Sequence, residues 1–340
     1  MGEERTLTMG AAIREALHHE MERDSTVIIM GEDIVGGAGS KVPDADDCWG
    51  GPFGITSGLV GKYGRNRVRD TPISEAGFVG AAIGAAATGL RPVAALMFVD
   101  FFGIAMDQIF NQGAKIRYMF GGKAKVPVVI RAAIGGGINA AAQHSQCLYS
   151  VFAHIPGLKV VVPSTPYDAK GLMTAAIRDD DMVLFLEHKR LMGSKGHVPE
   201  ASYVVPLGEA SVRREGQDVT VVAIAKMIDL ALGAAEHLEG EGLNIEVIDP
   251  RSLSPLDERK ILDSVEKTGR LVIVDEDTPR CNLATDIAAL AADQAFYSLE
   301  SPIKRICPPH TPVPFSPVLE SAYIPSQDRV VTAIREVMAT

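Results

Sequence analysis

Residues 89–130 read GLRPVAALMFVDFFGIAMDQIFNQGAKIRYMFGGKAKVPVVI. Pro92 to Val99 is an apolar run that suits a buried strand, 102–118 reads as a helix, and Pro127 to Ile130 begins a second apolar run. Strand, helix and strand in that order predict a parallel sheet with helices on its faces.

The alternation continues in both directions. Upstream, 8–23 (TMGAAIREALHHEMER) carries apolar positions at helical spacing, and Val27 to Met30 is a short buried strand closed by Gly31. The stretch 77–89 (GFVGAAIGAAATG) reads as a helix whose glycines let its backbone come close to another surface. Downstream, Leu158 to Val162 and Val183 to Leu186 extend the sheet. The polar segment 194–208 (SKGHVPEASYVVPLG) breaks the rhythm and sets a boundary near 190–208. A second α/β unit follows, with strands at Val219–Ala225, Ile245–Ile248 and Leu271–Val274 and helices at Ile228–Leu238 and 282–294. The expected architecture is α/β in two domains, 1–195 and 196–340. Between them stands no short-period repeat. Residues 36–58 (GGAGSKVPDADDCWGGPFGITSG) have no period, and a long irregular loop holding the single Trp49 is a functional candidate.

Composition narrows the function. With 340 residues, 46% hydrophobic and 22% charged, the chain is a globular protein large enough for a sizeable core. A formal net charge of −10 argues against nucleic acid and anionic membranes as main partners, because phosphate binding needs a basic surface. The opening MGEERTLTMG has no basic and apolar leader, and no apolar run reaches membrane-spanning length. Cys48, Cys147, Cys281 and Cys307 form no CxxC pair, so neither a disulfide framework nor a zinc site is expected, and the cytoplasm is the natural compartment.

No Walker loop and no GxGxxG after a strand is present, and Gly135-Gly136-Gly137 reads as merely flexible. The GDG-type motif that supplies magnesium ligands to a diphosphate is missing as well. What remains is a set of polar residues at the ends of apolar runs, where α/β sites usually lie. They are Glu32-Asp33, Thr71 to Glu75, Asp100 to Phe102, and Gln143 to Gln146. Taken singly, Glu75 reads as a helix cap, His144 as a structural histidine and Glu32 as a solvated loop acid.

Longer blocks change that reading. GED, DTPISEAGFVGAAIGAA, the 89–122 stretch, QHSQ, HIPGLKVVVPSTPYDAKGL, TGRLVIVDE and PHTPVPFS together resemble the beta subunits of thiamine-diphosphate-dependent pyruvate, branched-chain oxo-acid and acetoin dehydrogenases, from residue 5 to the C-terminus. The resemblance implies a transketolase-like pyrimidine-binding domain followed by a transketolase C-terminal-like domain that serves subunit contacts and docking.

It also implies roles. Glu75 falls on the glutamate that hydrogen-bonds the aminopyrimidine ring and activates the cofactor, general acid–base catalysis from a pocket apolar enough to raise its pKa. Phe101 matches the aromatic residue against the pyrimidine, Ile55 and Leu59 line its pocket, and Glu32 is a second acid in a water-linked network. His144 matches the histidine implicated in proton transfer or in acylation of the lipoyl group. A potassium site would run through Val126, Val128, Val129, Ala176, Asp179 and Asp181. The diphosphate and its Mg2+ would be held by an alpha subunit in an α2β2 heterotetramer, with docking to a dihydrolipoyl acyltransferase core and a small-molecule substrate. Residues 36–59, EHKRL (187–191) and PRCNLATDIAALAAD resemble acetoin dehydrogenase beta subunits more than the pyruvate enzymes. The expected function is therefore the beta subunit of an acetoin dehydrogenase. The alternatives are a pyruvate dehydrogenase beta subunit, then a branched-chain one, and, from other classes, a non-catalytic assembly subunit or a nicotinamide-linked reductase.

Overall fold

The computed structural model describes residues 5–35 and 50–340, so most of the irregular loop, with Trp49, lies outside the described residues. The chain divides into two compact units, Met1–Ile134 with Phe152–Leu207, and Gly135–Val151 with Gly208–Thr340. The segment carrying His144 thus belongs to the second unit, which the strand–helix rhythm gives no means to see.

The first unit opens with β1 (Thr6–Thr8) and α1 (Met9–Arg23), where the Thr8 hydroxyl accepts the Ala11 N–H and caps the helix. Its sheet is formed by β2 (Val27–Gly31), β3 (Val68–Asp70), β4 (Arg91–Phe98), β5 (Val129–Ile134), β6 (Lys159–Val161) and β7 (Val183–His188). Their order is β6-β7-β5-β4-β2-β3, and every neighbouring pair is parallel. β8 (Lys195–His197) returns to pair antiparallel with β1.

A parallel sheet needs both faces covered, and the sequence supplies the cover. On one face Met9, Ile13, Leu17 and Met21 of α1 pack with Leu172, Met173 and Ile177 of a later helix (Pro166–Arg178) against Ile29, Val93 and Phe185. Apart from that cluster, α2 (Leu59–Tyr63) leads into β3, and α3 (Glu75–Ala87) packs on β4 and on α4 (Phe102–Asp107). Truncating a fully buried residue such as Ile29 to Ala removes contacts worth about 2–5 kcal/mol.

Three local differences from the sequence reading have physical causes. α3 starts at Glu75, two residues before the expected start, so Glu75 is the first residue of the helix. The helix expected over 102–118 is not continuous: it widens into a π-helical stretch over Gln108–Gly113. There Gly113 lies so close to Met182 that a Cβ would stand 2.0 Å from its Cε. Wider turns of this kind accommodate a close neighbour inside a helix. Finally, β7 runs past Leu186 to His188, because Glu187 and His188 keep pairing with Ala133 and Ile134 of β5.

The second unit holds β9 (Ser211–Arg214), β10 (Val219–Ala223), β11 (Ile245–Asp249), β12 (Leu271–Val274) and β13 (Lys304–Ile306). Their order is β13-β12-β10-β11-β9, parallel except for β9 against β11. Met227, Ala231 and Ala235 of one helix (Met227–Glu239) and Val330, Ile334 and Val337 of another (Gln327–Met338) form its core with Val221, Val247 and Val272. No helix among the described residues is long and apolar enough to cross a membrane.

Candidate active site

At the C-terminal end of β2 the chain turns sharply. Gly31 has φ +153°, and a Cβ on it would stand 2.3 Å from the Ala95 carbonyl oxygen of β4, so only glycine fits. Glu32 follows at once. The Thr71 N–H donates to the Gly31 carbonyl at 2.9 Å, the Val35 N–H to Asp70 Oδ1 at 2.7 Å, and the Thr56 hydroxyl to the Ile34 carbonyl at 2.7 Å. These bonds tie the exits of β2 and β3 and the 50–58 turns into one corner. Ile34, Ile55 and Leu59 are buried there in the same apolar cluster.

Two acids stand in this corner. Glu32 is 7% exposed and Glu75 4%. Glu75 opens α3, where the helix dipole favours negative charge. Glu32 has no such support, and its Oε1 has no hydrogen-bond partner. Burial, then the Glu75 charge, then Asp33, push its pKa up to about 7. Asp70 Oδ2 and the Thr71 hydroxyl are also buried without partners. Buried polar atoms left unpaired in a native structure point to an absent group that would bond them.

Phe101 ends a 3-10 turn (Val99–Phe101) directly after β4 and is half-buried. It meets Phe98 edge to face at 6.5 Å, and Phe98 meets Phe53 at 6.3 Å, while the Lys189 ammonium stands 5.5 Å from the Phe98 ring. The structure therefore brings Glu32, Glu75, Ile55, Leu59 and Phe101 into one unit, on neighbouring strand ends. The orphaned acid oxygen, the second acid on a helix start, the apolar wall and the aromatic ring suit a flat, partly polar heterocycle such as a pyrimidine.

The sequence reading missed one pair beside this corner. Arg131 on β5 donates to both oxygens of Glu187 on β7, at 2.7 and 2.6 Å, and both residues are buried. They line a cavity of about 20 Å³ together with Ile34, Phe53, Ile55 and Met97, enough for one water. The available signal was a charged residue inside each of two apolar runs, Arg131 after Ile130 and Glu187 after Leu186.

His144 sits in the second unit, half-buried at the end of a short 3-10 turn (Ala142–His144). The glycines before it are not a flexible tether. Gly136 N–H donates to Glu276 at 2.6 Å, Gly137 N–H to Glu320 at 2.9 Å, and Asn139 gives its N–H and its side-chain amide to the same Glu320. Asn139, Ala141 and Leu148 hold positive φ angles, so the loop stores strain that these bonds sustain.

The residues expected to hold potassium do come together, since the Val126 N–H donates to the Asp180 carbonyl. The carboxylates do not fit that role. Asp179 accepts the Lys159 ammonium on both oxygens, at 2.8 and 2.7 Å. Asp181 meets Arg117 at 2.9 Å and Lys159 at 3.2 Å. Val126 and Val128 carbonyls accept the Val128 and Val183 N–H groups, and Val129 and Ala176 are buried. The charge there is met by Lys159 and Arg117, so these carboxylates do not fit a monovalent cation.

Known proteins share this organisation. The pyrimidine binding domain of transketolase matches residues 5–195, and the transketolase C-terminal domain matches residues 208–330. The chain is 58% identical over 334 residues to the beta subunit of the acetoin:2,6-dichlorophenolindophenol oxidoreductase of Cupriavidus necator, covering 98% of both chains. The same subunit from Bacillus subtilis is 57% identical, again over 98% of both. The 2-oxoisovalerate dehydrogenase beta subunit of Bacillus subtilis is 44% identical over 96% of both. A solved split-gene transketolase, described as an inactive beta4 tetramer, has the same fold, with a TM-score of 0.77 at 23% identity over 98% of each chain.

Proposed function

We propose that this chain, which belongs to the transketolase-like family of thiamine-diphosphate-dependent dehydrogenase beta subunits, is the beta subunit of an acetoin dehydrogenase that cleaves acetoin to acetaldehyde and passes the acetyl unit to a lipoyl group. The observation that carries the site assignment is the paired acid corner, in which Glu32 is raised to about 7 partly by the charge of Glu75. A buried acid held near neutrality beside a second buried acid suits acid–base work. The choice of acetoin rests on the higher identity to the acetoin enzymes than to the 2-oxoisovalerate enzyme.

Thiamine diphosphate, when bound, supplies the electron sink for breaking the carbon–carbon bond next to the acetoin carbonyl. Glu75 then hydrogen-bonds the ring nitrogen of the aminopyrimidine and holds the proton shared with it. Glu32 keeps a proton on its carboxyl near neutrality, so the corner avoids two full negative charges and retains an O–H donor. Phe101 packs against the heterocycle, and Ile55 and Leu59 keep water from its edge, which strengthens the Glu75 hydrogen bond. His144 of the second unit is assigned proton transfer during acylation of the lipoyl group. An alpha subunit is assigned the diphosphate and its Mg2+, in an α2β2 heterotetramer that docks on a dihydrolipoyl acyltransferase core.

The test is activity of the reconstituted alpha–beta pair with thiamine diphosphate, Mg2+ and an artificial electron acceptor, offered acetoin and pyruvate in parallel. Turnover of acetoin with little of pyruvate is the expected result. Preference for pyruvate would overturn the substrate assignment and leave the acid corner standing, whereas undiminished acetoin turnover in Glu75→Gln would overturn the site.

A further inference from the structure

The second unit contains a cavity of about 390 Å³, lined in part by the loop that carries His144. It lies between the loop 142–148 and the segments 276–278 and 310–313, with Tyr323 as part of its wall. Its polar lining includes Glu276, Asp277, Ser145, Gln146, Thr278, Thr311 and His310, and its apolar lining includes Leu148, Val313 and Tyr323. No lysine or arginine lines it.

Two independent features call for a ligand. Ser145 is 2% exposed, yet its hydroxyl finds no partner. Asp277 is buried and bonded to neutral groups, the Thr278 N–H at 2.8 Å and Ser150. A buried carboxylate with neutral donors and no ion partner is costly, and burial does push its pKa up. Behind the wall stands a second uncompensated acid. Asp275 is fully buried, accepts the Tyr149 hydroxyl, and is pushed up to about 7 by burial and by Asp277. A cation in the cavity would favour the ionised form of Asp277 that burial disfavours.

The occupant that relieves both features is a cation with hydrogen-bond donors and an apolar body. A bare metal ion fits poorly, because among the described residues no three His, Cys, Asp or Glu side chains are grouped to ligate one. The volume also far exceeds that of an ion and is in the range of small-molecule pockets. Tyr323, Leu148 and Val313 in the wall offer contact for carbon.

We propose that this cavity binds a small organic cation, a primary ammonium or guanidinium bearing a short alkyl or aryl group, held by Asp277 and the Ser145 hydroxyl. The cavity is lined wholly by residues of the second unit, none of them a member of the acid corner, so failure of its binding test would leave the proposed reaction intact.

Calorimetric titration of the full chain with n-butylguanidinium, against 1-butanol as the uncharged probe, tests this directly. Saturable binding of the guanidinium is expected, at least about tenfold tighter than butanol, with about a tenfold loss in Asp277→Asn, the weight of one charge-assisted hydrogen bond. Ser145→Leu, which fills the cavity from a different wall, is expected to abolish binding, and covers the case in which Asp277→Asn does not fold. The alpha–beta pair is expected to bind as the chain does. Absence of saturation, equal affinity for butanol, unchanged affinity in both variants, or loss of binding once the alpha chain is added would each overturn the proposal.

Discussion

Replacing Glu32 by Gln should stabilise the protein at neutral pH and do little at low pH. Folding moves this carboxyl from its ordinary value of 4.5 to about 7. The difference is about 2.5 pH units, and at 1.36 kcal/mol per unit that is about 3.4 kcal/mol. Water at the rim of the corner screens part of it, which leaves about 2 kcal/mol. The sign follows from which state binds the proton. Below 4.5 both folded and unfolded chains carry it, and the group costs nothing. Between 4.5 and 7 the unfolded chain ionises while the folded chain still holds the proton, so the native state loses stability as pH rises. Above 7 the penalty stays constant. Gln has the same shape and no titration, so the advantage of Glu32→Gln over the parent should grow across that window by about 2 kcal/mol and then level off. Urea unfolding of both chains at pH 5, 6, 7 and 8 gives the difference directly. A difference that stays flat across the series, or that shrinks with rising pH, would refute the argument that Glu32 is held protonated by burial and by Glu75.

Other perturbations report on separate parts of the site. Glu75→Gln should lower kcat of the reconstituted pair by about 10²–10⁴-fold, the range of a lost general acid–base group, with an unchanged melting temperature. Breaking the buried Arg131–Glu187 pair by Arg131→Met alone should cost about 3–5 kcal/mol, whereas adding Glu187→Leu to it should recover most of that loss, measured by chemical denaturation. Gly31→Ala forces a Cβ to within 2.3 Å of the Ala95 carbonyl oxygen, so it should destabilise by about 2–4 kcal/mol or fail to give soluble protein in an expression test. Lys159→Met would strip the cation from Asp179 and leave Asp181 with Arg117 alone, and it should lower the melting temperature by an amount that added potassium chloride partly restores.

How much of this was legible in the sequence depended on the range of the interaction. Apolar runs such as Val27–Met30 and Val183–Leu186 mark strands because burial acts on each residue separately, and their period needs no partner to be read. The ends of elements were less legible where a neighbour decides them. β7 reaches His188 because β5 lies beside it, and the wider turn at Gln108–Gly113 ends where Gly113, with no Cβ, leaves room for Met182. Glu75 and Glu32 were found by likeness to a family. The near-neutral pKa of Glu32 could not be, since it arises first from burial in the folded corner and then from the charges of Glu75 and Asp33. For the same reason Gly135–Gly137 read as a flexible run. Its N–H groups meet Glu276 and Glu320, which lie well over a hundred residues away in the chain.

Each unit handles acid in two opposite ways, and the contrast has functional meaning. Glu246 is buried too, but Lys267 and Ser264 bond it and hold its pKa below the usual carboxylate range, which makes it a structural brace between a strand and a helix. Asp179 and Asp181 are likewise neutralised by Lys159 and Arg117. Glu32 and Asp277 receive no cation and are pushed upward. Where the fold needs only stability, a basic side chain accompanies the acid. Glu32 and Asp277, left without one, keep a proton or a ligand within reach: Glu32 carries an orphaned carboxyl oxygen, and Asp277 lines the same cavity as the orphaned Ser145 hydroxyl. The same combination of an uncompensated acid and an unsatisfied atom marks both proposed sites, without reference to where either lies in the chain.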